Sequence, residues 1–206
     1  KINMNKNDTT GYLFTFCGLD GCGKTTMIRR LAADLAKEYD VFVTRQPTDA
    51  VRRSGIFRTY MDCEDHDGFE YRALSLLAAG DRLQHGSKVI EKEMKKGKIV
   101  ISDRYFYSCL ANLHARGYGE DRWIYEVAEW IVRPDIAFFL DLPVEESVAR
   151  VRRRPEEKDM PLQYRLRREY LAICQENGGV LLSTEKPEEV CYLAVKNAVS
   201  EVLSHG

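Results

Sequence analysis

Nine residues, GLDGCGKTT from Gly18 to Thr26, hold three glycines, one lysine and two threonines. They follow the apolar run Tyr12-Leu13-Phe14-Thr15-Phe16. The spacing Gly18-x4-Gly23-Lys24-Thr25 fits a phosphate-binding loop between a strand and a helix. Glycines let the backbone curl so that successive N–H groups point inward at phosphate oxygens, and the next helix adds its positive end. Lys24 can bridge the β- and γ-phosphates of a nucleoside triphosphate, and the Thr25 hydroxyl can ligate Mg²⁺. The residues expected to hold ATP are therefore Gly18, Gly21, Cys22, Gly23, Lys24, Thr25 and Thr26. A guanine-reading string, Asn5-Lys6-Asn7-Asp8, precedes the loop rather than following a later strand, so no guanine role is expected of it.

Other charges gather at strand ends, where open α/β sheets bind ligands. KIVISDRY ends in Asp103-Arg104, with Asp103 either a metal-side carboxylate or an orienter of Arg104, and Arg104 able to clamp a second phosphate. VTRQPTD places Arg45 at the same rim. AAGDRLQH sets Asp81-Arg82 in a mostly apolar helix, where a buried Arg82 needs an acceptor: an internal carboxylate or the polar edge of a ligand. ARVRRRPEEKD carries Arg150, Arg152, Arg153 and Arg154 before Pro155. Such a cluster repels itself unless an anion arrives, and we read a lid around residues 150–160 whose stretch Arg152–Asp159 is poorly ordered or open without phosphate. Phosphoryl transfer needs in-line positioning and charge neutralisation more than acid–base chemistry, and these groups supply both.

The elements that must position these groups alternate. Apolar runs at Tyr12–Cys17, Val41–Thr44, Lys98–Ser102, Ile136–Leu142 and Gly179–Ser183 read as strands. Helical patterns cover Thr25–Tyr39, Phe69–Lys96, Tyr105–His114, Asp121–Val132, Pro143–Arg154, Pro161–Asn177 and Glu188–Leu203. Strands apolar throughout, separated by helices, predict a three-layer α/β fold with a parallel sheet. Residues 1–10 are polar and read as a flexible tail, and 11–206 as one domain. The net charge of −1 argues against nucleic-acid or membrane binding by bulk electrostatics. Six scattered cysteines without a C-x-x-C pair fit neither a zinc site nor a disulfide framework, and point to a reducing cytoplasm.

With these motifs in hand, the chain resembles the thymidylate kinase family of nucleoside monophosphate kinases. The resemblance runs from Gly11 to Leu203 through GLDGCGKTT, TRQP, GDRLQH, SDRYFYS, RPDIAFFLDLP and the arginine-rich segment. It implies a P-loop fold with a five-stranded parallel sheet, ATP and Mg²⁺, a homodimer, and phosphorylation of a deoxynucleoside monophosphate, usually dTMP. Carried over by position, Asp20 approaches the acceptor's sugar and phosphate, Arg45 and Arg104 hold the acceptor phosphate, and Arg82 bonds the base edge. Gly21-Cys22 in the loop resembles the branch that takes its catalytic arginine from the lid, here Arg154 with Arg150 and Arg152. Lys24 and Arg104 complete the catalytic set, with Thr25 and Asp103 on the metal. Three positions depart from the family pattern: Ala78 where a phenylalanine stacks on the base, Cys109 where a polar side chain reads it, and Asn112 where a tyrosine packs on the sugar. Phe57, Phe69, Tyr71 or Tyr107 could stack instead. The acceptor thus stays open among dTMP, dUMP, UMP and CMP, and a nucleotide switch or regulatory ATPase is the reading from another class.

Overall fold

The computed structural model describes residues 1–63, 68–151 and 159–205. Five strands, β1 (Tyr12–Cys17), β2 (Val41–Arg45), β3 (Ile99–Asp103), β4 (Ile136–Asp141) and β5 (Val180–Ser183), form one sheet in the order β2-β3-β1-β4-β5. Every pairing is parallel, with Phe14 opposite Ile101 on one side and Ile136 on the other. Alternate residues of the central strands feed two cores. Leu13, Cys17, Val100 and Phe139 pack against α6 (Phe106–Ala115) and α9 (Met160–Asn177). Phe14, Phe16, Ile101 and Phe138 pack against α1 (Lys24–Leu35) and α10 (Glu188–Ser204). Both sheet faces are covered, which is why the strands carry apolar residues without alternation. The expected three-layer α/β fold is the one observed.

The remaining helices sit around the strand ends. They are α2 (Asp49–Arg52), α3 (Gly55–Asp62), α4 (Tyr71–His85), α5 (Glu91–Met94), α7 (Trp123–Ala128) and α8 (Val144–Val151). A π-helical turn, Gly86–Ile90, joins α4 to α5, so the long helix expected over Phe69–Lys96 is real but locally unwound. Helices α2 and α3 lie where no helix was expected. Each has a side-chain cap: Thr48 accepts from the Ala50 N–H and Ser54 from the Phe57 N–H. The helix expected over Asp121–Val132 shrinks to Trp123–Ala128.

Residues 1–10 are not a loose tail. Ile2 and Met4 are 3% and 6% exposed and join the core. Asn5 pairs with the stretch before β4, its N–H donating to the Ile131 carbonyl and its carbonyl accepting from the Arg133 N–H. Two apolar residues at i and i+2 in extended backbone point the same way, and the polar composition around them hides that pattern. Asn7 donates to the Gly11 carbonyl and to Asp135, which itself accepts from the Leu13 N–H. The Asn5–Asp8 string therefore fastens the strand-start end of the sheet, opposite the phosphate loop.

Candidate active site

The loop after β1 owes its shape to glycine. Gly18, Gly21 and Gly23 have φ of 142°, 84° and 97°, values open to glycine and strained for other residues. A Cβ on Gly18 would lie 2.5 Å from the Leu140 carbonyl oxygen, and one on Gly21 would lie 2.6 Å from that of Ser147. The loop is thus pressed between β4 and α8. Ser147 fixes it by donating to the Asp20 carbonyl, and Arg150 by donating to the Gly21 carbonyl at 3.1 Å. Lys24 is buried, with Nζ 2.7 Å from the Leu19 carbonyl oxygen and 3.1 Å from that of Gly18. Cys22, 1% exposed, lies beneath it with Sγ 3.7 Å from the same Nζ. Thr25 is exposed and Thr26 half-exposed in the first turn of α1.

The residues present fit a magnesium ion. Oδ1 of Asp103, at the end of β3, is buried without a hydrogen-bond partner among the described residues, a state that costs free energy unless a ligand satisfies it. Thr25 supplies a hydroxyl at the loop. Mg²⁺ characteristically takes one or two protein oxygens and fills its octahedron with phosphate and water.

Arg104 is the only described non-glycine residue with positive φ, at 64°. Its backbone N–H donates to the Phe16 carbonyl and its carbonyl accepts from the Ser102 hydroxyl. That holds the main chain in the left-handed region. The side chain reaches Asp20 Oδ1 at 2.5 Å and the Tyr170 hydroxyl at 3.0 Å. Burial weighs against its charge, but Asp20, Tyr170 and Asp103 more than offset this and hold the guanidinium firmly protonated. Asp20 and Arg104 thus tie the loop to the end of β3.

Beside this pair opens a cleft. Gly18, Leu19 and Asp20 of the loop after β1 line it. Helix α4 contributes Tyr71, Leu74, Ser75, Ala78 and Arg82, one helical face by spacing. Ser108, Cys109 and Asn112 come from α6, and Gln163, Leu166 and Tyr170 from α9. Arg82 is 3% exposed and does not take an internal carboxylate, one of the two acceptors foreseen for it. Its Nε donates to the Tyr105 carbonyl at 3.2 Å and its Nη1 to the Ala78 carbonyl at 3.1 Å. Backbone oxygens, not a carboxylate, hold it in the wall. The neighbouring Asp81 instead accepts from the Thr48 N–H and hydroxyl, pinning the turn after β2.

Arg45 does not line the cleft. It is 55% exposed and paired with Asp49. Arg52, passed over in the sequence, lines it instead, with Nε on the Pro47 carbonyl at 2.9 Å. Its pKa is lowered by burial and by the charges of Arg45 and Arg104. Arg45 and Arg104, each paired with an aspartate, both bring positive charge to Arg52. The available signal was the Thr48 cap, which starts the helical turn Asp49–Arg52. Of the four aromatic candidates, Phe57 and Tyr71 line the cleft. Phe69 lies edge-on to Tyr60, and Tyr107 is buried against Phe139 in the core. Arg152 and Arg154, with the lid opening expected there, fall outside the described residues.

A model of the family described as Thymidylate kinase matches residues 16–193. The chain belongs to the thymidylate kinase family. It is 40% identical over 172 residues to the probable thymidylate kinase of Pyrococcus horikoshii, covering 80% of this chain and 83% of that protein. To the probable thymidylate kinase of Thermococcus onnurineus it is 40% identical over 168 residues, 77% of this chain and 82% of that one. To the thymidylate kinase of Onion yellows phytoplasma it is 30% identical over 201 residues, 91% and 96% of the two chains. A phosphate loop opening directly on an arginine-lined cleft is what a family of phosphotransferases needs.

Proposed function

We propose that the chain transfers the γ-phosphoryl group of ATP to the 5′-phosphate of dTMP, giving ADP and dTDP. The observation that carries this reading, beside family membership, is that Gly18, Leu19 and Asp20 of the phosphate loop line the same cleft as Arg104, Arg52 and Arg82. Donor and acceptor phosphates would then meet across Asp20 and Arg104. An oxygen of the acceptor phosphate attacks the γ-phosphorus in line as the bond to the β-bridging oxygen breaks. Lys24 leaves its loop carbonyls to follow the β- and γ-phosphates. Arg104 and Arg52 hold the acceptor phosphate, and Arg45 stands at the rim. Arg150, Arg152 and Arg154 neutralise the charge spread over the transferred group. Thr25 and Asp103 would hold Mg²⁺, which shields the negative charge of the phosphates. Arg82, Cys109 and Asn112 face the base and sugar, with Phe57 or Tyr71 replacing the ring absent at Ala78.

No described helix is long and apolar enough to cross a membrane. A cytoplasmic location belongs to the same proposal. A homodimer is part of the same reading. Of the two helices that could form its interface, α6 is consumed by the chain's own core, whereas Leu76 of α4 is 54% exposed.

The test is ADP release with ATP and Mg²⁺ across dTMP, dUMP, UMP, dCMP and CMP. Preference for dTMP is expected. Preference for another monophosphate would show that Ala78, Cys109 and Asn112 re-cut the pocket. ATP hydrolysis at one rate with or without any monophosphate would replace the kinase reading with that of a switch or regulatory ATPase.

A further inference from the structure

Arg116, the residue after α6, does not itself line the cleft, yet it grips three residues that do. Its Nε and Nη2 both donate to the Tyr60 hydroxyl, at 2.9 and 2.7 Å. Nη1 donates to Asn112 twice, to the backbone carbonyl at 3.0 Å and to Oδ1 at 2.9 Å. The guanidinium carbon lies 4.0 Å from the Tyr71 ring centre, within the range of a cation–π contact. Tyr60, Tyr71 and Asn112 come from α3, α4 and α6, and all three line the acceptor side of the cleft.

The grip also decides what Asn112 can offer. Its Oδ1 is taken by Arg116, and one hydrogen of Nδ2 goes to the Ser108 carbonyl at 2.8 Å. The two bonds fix the amide's orientation together. With the oxygen turned to Arg116 and one of the two amide hydrogens spent on Ser108, the nitrogen keeps a second N–H to donate.

We propose that Arg116 is a positioning residue for the acceptor nucleotide. It holds the Tyr60 and Tyr71 rings in register with α6. It also sets the Asn112 amide so that its remaining N–H donates to an oxygen of the acceptor's sugar. This rests on the reading of the cleft as the acceptor site. A lysine cannot replace Arg116, because a point charge on a flexible stem cannot reach Tyr60 and Asn112 at once while lying on Tyr71.

The test is dTMP affinity by titration calorimetry, together with KM and kcat for ATP and dTMP. Calorimetry reads the proposal even if turnover of dTMP fails; loss of turnover alone would sink the kinase reading and not this one. Arg116→Ala and Arg116→Lys should each weaken dTMP roughly tenfold, leave the KM for ATP within about twofold, and change the dTMP-to-UMP preference. Tyr60→Phe, which removes only the bridging hydroxyl, should have a smaller effect in the same direction. Asn112→Leu removes the donor at similar volume and adds no acceptor. Wild type should bind 3′-deoxy-dTMP more weakly than dTMP, and Asn112→Leu should lose that difference. If the Arg116 variants do not fold, the Tyr60 and Asn112 variants decide. Folded variants with lowered thermal stability but unchanged dTMP affinity and dTMP-to-UMP preference would overturn the proposal, leaving Arg116 only a brace between α3, α4 and α6.

Discussion

At the phosphate loop the backbone makes the site. Three glycines at positive φ shape it, β4 and α8 press it from the side, and its one long side chain, Lys24, lies over its own carbonyls. Across the cleft the reverse holds. There the walls are side chains from α2, α3, α4, α6 and α9, held by Arg116, Asp81 and backbone oxygens. The loop tolerates little change because at Gly18 and Gly21 a Cβ has nowhere to go. The opposite wall is made of side chains, which can be exchanged without moving the backbone. A phosphoryl-transfer enzyme can thus keep one machine and vary what it phosphorylates.

The sharpest break to this contrast is Lys24→Ala. Turnover should fall roughly a thousandfold or more with every acceptor, while calorimetry still finds dTMP bound. If dTMP binding also vanished, loop and cleft would not be separable. Arg104→Ala comes next, since Arg104 belongs to both regions. It should cost about a hundredfold or more in kcat/KM, with both kcat and the dTMP KM affected in steady-state kinetics. Arg52→Ala should raise the dTMP KM about ten- to a hundredfold, the range for losing a charged hydrogen bond, and leave the KM for ATP alone. An equal rise in both would place Arg52 on the ATP side. Arg82→Ala should have the smallest effect on the rate with dTMP, about tenfold. Its main consequence is a loss of preference among monophosphates, read as a flattening of the kcat/KM series.

The two regions also differ in how far the sequence revealed them. Strand periodicity and the glycine–lysine spacing identified the sheet and the loop, because local backbone rules govern both. Arg82 was recognised as buried, but its acceptors were not, since the carbonyls of Ala78 and Tyr105 carry no side-chain signature. Arg52 and Tyr60, and the contact of Tyr71 with Arg116, carry no such signal, because α2 and α3 are only four and eight residues long. Only the caps at Thr48 and Ser54 marked them. Ile2 and Met4 were lost in a polar decapeptide whose backbone pairing no composition reveals.

The left-handed backbone of Arg104 has a bearing on engineering. Such a conformation costs a non-glycine residue on the order of 1 kcal/mol or more, and here it coincides with the residue that joins loop to cleft. A search for heat-resistant variants guided by stability alone would be drawn to glycine or asparagine at this position. It would retain the sheet and both cores, lose the guanidinium that reaches Asp20, and yield a sturdier protein that has given up its chemistry.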